Sequence, residues 1–159
     1  MNQITNATTT DSSGVIAPPP VLYLGTLIIG LIIHSVSRAA LFPSSFPKIG
    51  AAAVLFAGSS ALASWAFITM RQTGTSASPY KPTAALSISG PFRFSRNPIY
   101  LAMSGLYLAV ACLVNSIWLL LLLPPLILIM QHGVIAREER YLSAKFGEAY
   151  TLYKSEVRR

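Results

Sequence analysis

Charge is scarce in this chain of 159 residues: only 11% are Asp, Glu, Lys or Arg, and just 5 of them are acidic. A soluble domain of ordinary composition carries about 25%. So little charge cannot cover the surface of a water-soluble globule. Cysteine is nearly absent too, with Cys112 alone, so no disulfide scaffold is possible within the chain. Two dispersed histidines, His34 and His132, and that one cysteine offer no metal-ligand spacing. What is abundant is apolar surface, at 53% of residues. That excludes general disorder and leaves a small polytopic membrane protein, provided the apolar residues run in lengths that cross a bilayer.

Four such runs are present. Residues 21–42 are apolar apart from His34 and Arg38 and a few small polar residues near the end, 49–70 and 98–114 carry no charge, and 116–136 is mostly Leu and Ile around Pro124-Pro125. A bilayer core needs roughly 17–25 mostly apolar residues per helix, so the fold expected is all-α, with four transmembrane helices. The two prolines remove backbone donors and predict a kink in the fourth. Residues 1–20 contain no Lys or Arg and are rich in Asn, Thr and Ser before Pro18-Pro19-Pro20; a disordered tail is expected there, and no signal peptide. Residues 21–159 then form one membrane domain, with a loop at 71–97 and interfacial helices over 137–159.

Net charge is +7, from 12 Lys and Arg against the 5 acids. With four spans, Arg71, Lys81, Arg93, Arg96, Arg137, Arg140, Lys145, Lys154, Arg158 and Arg159 fall on one side, and only Arg38 and Lys48 on the other. The positive-inside rule puts both termini and the 71–97 loop in the cytoplasm, in a multi-pass protein expected in a bacterial inner membrane. It also accounts for the basic charge without nucleic acid, for which the sequence has no motif.

Polar residues capable of chemistry gather on that basic side in two clusters. Ser89-Gly90-Pro91-Phe92-Arg93-Phe94-Ser95-Arg96-Asn97-Pro98-Ile99-Tyr100 precedes the third span, where Asn97 suits an N-cap and Pro98 a first helical position. Arg137-Glu138-Glu139-Arg140 through Phe146-Gly147-Glu148 to Tyr153 follows the fourth. Spans three and four, joined around Asn115, must form a tight hairpin that brings the clusters to one mouth. On a helix at 100° per residue, Ile135, Leu142, Phe146, Tyr150, Tyr153 and Val157 make one apolar stripe. An amphipathic surface helix is expected, or two such helices broken near Gly147. Arg137, Arg140 and Lys154 fall off the stripe. Glu139 lies within it and Glu138 at its border. An inward carboxylate needs a cation, and here both an ion pair with Arg93 or Arg96 and a bound cationic ligand meet that need.

The order of these elements resembles the isoprenylcysteine carboxyl methyltransferase family, within a wider group that includes the small phospholipid methyltransferases. That family shows Gly-x-Tyr/Phe, Arg-His-Pro-x-Tyr, a helical hairpin, Glu-Glu-x-x-Leu, then Phe-Gly-x-x-Tyr-x-x-Tyr. The likeness covers residues 86–159; Asn97 stands where the family has His, and Asn does not titrate near neutral pH. The resemblance implies methyl transfer from S-adenosylmethionine, entering from the cytoplasm, to an acceptor held in the bilayer. That acceptor is a lipid or a lipidated small molecule or peptide, with a prenylcysteine carboxylate first and a phospholipid amine as the alternative. It further implies catalytic Arg96 and Glu139, and cofactor contacts from Arg96, Asn97, Pro98, Tyr100, Glu138, Glu139 and Tyr150. A carboxylate acceptor needs only in-line positioning. An amine needs a proton acceptor, and neither histidine is well placed to be one. A non-catalytic lipid-binding subunit of the same fold is the contrasting expectation.

Overall fold

The computed structural model describes residues 14–44, 47–75 and 85–159, and within them the chain is a bundle of α-helices. Helix α1 spans Pro19–Val36, α2 Lys48–Gln72, α3 Pro98–Val114 and α4 Ile117–Met130. A π turn, Gln131–Ile135, leads into α5, Ala136–Phe146, and α6 follows at Glu148–Glu156. Three helical runs are long and apolar enough to cross a membrane: Pro19–Val36, Lys48–Gln72 and the 30 residues Ile117–Phe146. Helix α3 is shorter, at 17 residues. Large apolar side chains such as Ile28, Ile32, Val54, Phe56, Leu121 and Leu128 point outwards, as they must where the surrounding solvent is hydrocarbon.

Helix packing depends on small side chains. On α2, Ala52, Ser59 and Ala66 recur at intervals of seven and are buried against α3, which presents Ala102 and Ala109. Between hydrocarbon-solvated helices no hydrophobic force drives association, so close backbone approach supplies the attraction. The other half of the core joins α1 to α4 and α3, with Tyr23, Tyr107, Leu119, Leu123, Leu126 and Met130 buried together.

Three expected boundaries shift. The first span ends at Val36, not at 42. Residues 37–42 instead bind the α3–α4 turn: Ile117 N–H donates to Ala39 O at 3.1 Å, and Asn115 Oδ1 accepts from the amides of Leu41 and Phe42 at 3.1 and 2.7 Å. Asn115 is left-handed, with φ 58°, a conformation that Asn tolerates and that closes the hairpin in two residues. The tail expected over 1–20 is ordered from residue 14. Arg137 Nη1 donates to Gly14 O at 2.8 Å and Ile16 N–H to Gly133 O at 3.3 Å, and α1 begins at Pro19; residues 1–13 lie outside the described segments. Finally, the helix expected over 116–136 is α-helical at Ile117–Met130, with Pro124 and Pro125 inside it, and passes into a π turn at Gln131–Ile135. Within that turn the Gly133 carbonyl accepts from the Ile16 amide.

Candidate active site at one end of the bundle

The mouth is where α3 begins and α5 and α6 fold back. Gly147, at φ 54°, breaks α5 from α6, a backbone conformation that L side chains rarely adopt. The break returns α6 to the segment before α3. Tyr153 is buried there, donating its hydroxyl to Phe92 O at 2.7 Å, and Arg96 N–H donates to Arg158 O at 2.9 Å. The two sequence clusters therefore meet, as the hairpin argument requires.

Glu139 is buried, at 6% exposure. Arg159 grips it with a fork, Nε to Oε1 at 2.9 Å and Nη2 to Oε2 at 2.6 Å, while Arg96 Nη1 stands 3.2 Å from Oε1. Burial alone would favour its neutral form. The Arg159 hydrogen bond and the charges of Arg96, Arg159 and Lys154 outweigh it and hold the carboxyl below its ordinary range. Arg93, the other partner open to Glu139 in the sequence, is not in this network.

Glu138 turns to a different partner, accepting from the Tyr100 hydroxyl at 2.7 Å. Burial pushes its carboxyl up to about 7, against the lowering effect of that hydrogen bond. Adjacent carboxylates on one helix are thus shifted in opposite directions, Glu139 down and Glu138 up. Tyr150 is buried beside Arg96 and Glu139, and burial, then the Glu139 charge, raises its phenol to about 12. Pro98 is buried as the first residue of α3.

Asn97 holds the N-cap position, but its side chain makes no capping bond. Its Nδ2 is buried without an acceptor among the described residues, as are Nε and Nη1 of Arg96. The Asn97 backbone amide itself donates to Ser95 Oγ at 3.2 Å. These unmet donors, with two carboxylates alongside, suit a ligand carrying a carboxylate, an amine and hydroxyls.

A sequence model of the phospholipid methyltransferase family matches residues 47–149, from the start of α2 into α6. The chain belongs to this family. It is an S-adenosylmethionine-dependent, multi-pass integral membrane methyltransferase that acts on a lipid-associated substrate. No curated protein and no solved structure gave a match. The residues that sequence reasoning missed at the mouth are Arg159 and Tyr153, the latter read only as part of the apolar stripe.

Proposed function

We propose that the methyltransferase transfers a methyl group from S-adenosylmethionine to the amine headgroup of a phospholipid. The observation that carries this is the Glu138–Tyr100 pair, a carboxyl near neutrality at the mouth, because an amine acceptor requires a proton acceptor and a carboxylate acceptor does not. The family's description favours the same acceptor over the prenylcysteine carboxylate.

The bound cofactor supplies an electrophilic methyl group. Arg96 and Asn97 would hold its methionine carboxylate through the donors that lack partners, and Glu139 would attract its amine or ribose hydroxyls. Tyr100, Pro98 and Tyr150 would wall the pocket. Glu138 takes a proton from the acceptor ammonium, which frees the nitrogen lone pair, and Tyr100 keeps that carboxylate oriented. The apolar outer surface admits the acceptor from the bilayer side. In this reading α3 is a fourth span, about 25 Å long at 1.5 Å per residue, residues 21–159 form one domain, and the mouth is cytoplasmic.

The test is methyl incorporation by the full chain in nanodiscs. Expected is labelled N-methyl-phosphatidylethanolamine, at a rate that rises with pH through about 7. Base-labile methyl esters on an N-acylated prenylcysteine, with no phospholipid product, would overturn the amine reading in favour of the carboxylate.

A further inference from the structure

Arg159 lies beyond the family match and beyond any helix. Helix α6 ends at Glu156, and Val157 is extended, with φ −117° and ψ 131°. That extended residue turns the chain back to the mouth, where the Arg158 carbonyl binds the Arg96 amide and the Arg159 fork closes on Glu139. One carboxylate now faces two guanidinium groups, with the charge of Lys154 also bearing on it. The charges in this cluster do not cancel. Glu139 neutralises one guanidinium, and the fork geometry gives it to Arg159. Arg96, with its side chain only 9% exposed, has Nη1 3.2 Å from Glu139 Oε1 but outside hydrogen-bond geometry, and its Nε has no acceptor among the described residues. A buried cation with unmet donors is costly until an acceptor arrives, and paired guanidiniums match the planar, bidentate demands of an oxyanion.

The geometry points to an oxyanion seat built by Arg96 and Arg159 over Glu139, taking a phosphodiester or a carboxylate. Glu139 is the brace that aims both guanidiniums, and Arg159, 40% exposed at its side chain, is the face the ligand meets first. The inference rests on the methyl-transfer reading above, in which two ligands carry such a group: the acceptor lipid its phosphodiester, and the cofactor its methionine carboxylate.

The full chain in nanodiscs separates them. One arm compares KM for phosphatidylethanolamine with KM for a long-chain primary amine that has no phosphate. The other compares, by calorimetry, S-adenosylhomocysteine with 5′-methylthioadenosine, which has no amino-acid part. Arg159→Ala is expected to weaken the anion-bearing member of one pair about tenfold or more, and to leave its anion-free counterpart unchanged. The pair that responds names the ligand. Arg159→Lys should recover part of the loss, since an ammonium keeps the charge without the fork. If Arg159→Ala does not fold, Arg159→Lys against the unmodified chain carries the same comparisons. Unchanged affinity for all four probes, or an equal loss for all four, would overturn the seat. If the unmodified chain methylates neither amine, the acceptor reading falls, and the calorimetric pair still decides the seat.

Discussion

Burial raises the Glu138 carboxyl to about 7, and the Tyr100 hydroxyl pulls it part of the way back. Glu138→Gln should therefore abolish the rise of the rate with pH and reduce kcat by about 10²–10⁴-fold, the ordinary worth of a general base. Tyr100→Phe removes a bond that lowers the Glu138 value, so the midpoint of the pH–rate profile should move upwards. The same shift has a cost in stability. Between the ordinary value near 4.5 and about 7, the folded chain keeps a proton that the unfolded chain has released, so this group's contribution falls as pH rises through that window. Glu139 has the opposite sign: its contribution is present above the ordinary carboxylate value and is lost as pH falls through its depressed one. Thermal unfolding from pH 4 to 8 of Glu138→Gln and Glu139→Gln, each against the unmodified chain, checks both signs. At Asn97 the missing cap bond sharpens the expectation: Asn97→Leu should leave thermal stability level or higher, because it removes an unpaired buried amide, while cofactor affinity falls. Asn97→His should stay active. Calorimetry beside a melting curve separates the two effects, and a destabilised Leu variant with full affinity would show that the residue serves only the helix start. The inward position of Glu139 was legible from helical spacing, because α5 is a regular helix. Arg159 was not, because periodicity says nothing about a residue that follows an extended Val157.

Among the elements, the hairpin of α3 and α4 followed from Asn115 as the one residue between its apolar runs, and the break at Gly147 was one of two readings of the amphipathic stripe, the other being an unbroken helix. The end of α1 did not. Residues 37–42 could continue the apolar run, but the amides of Leu41 and Phe42 are claimed by Asn115, a partner over 70 residues away. Asn115→Gly should keep the left-handed turn and lose that clamp, at about 1–3 kcal/mol, whereas Asn115→Val should cost more by also straining the backbone. Denaturation in a fixed detergent measures both. Gly133 makes a second test. A Cβ there would meet the outer atoms of the half-exposed Ile16 side chain, so Gly133→Ala should push Ile16 aside, with a loss of protease protection at residues 14–18 and little loss of global stability. Ile16→Ala should restore most of that protection. The stripe of Ala52, Ser59 and Ala66 was visible as small residues, yet its partner helix was not, because small residues specify closeness and not identity.

For the molecule as a whole, the charge asymmetry predicts a mouth facing the cytoplasm. Single cysteines placed at Asn2 and Ser155, in a Cys112→Ala background, should resist an impermeant reagent applied to intact cells; efficient labelling at either would reverse the orientation. The far end of the bundle is tied shut by the contacts of Ala39, Leu41 and Phe42 with the α3–α4 turn, while the cluster of Arg96, Tyr100, Glu138, Glu139 and Arg159 lies at the other. An enzyme with chemistry at one end only reads one leaflet. In proteoliposomes of uniform orientation, the accessible half of the lipid should be methylated in a fast phase, and the remainder only as fast as flip-flop delivers it. A lipid scramblase would then accelerate the second phase alone, and the product would begin its life on the side where the cofactor is made.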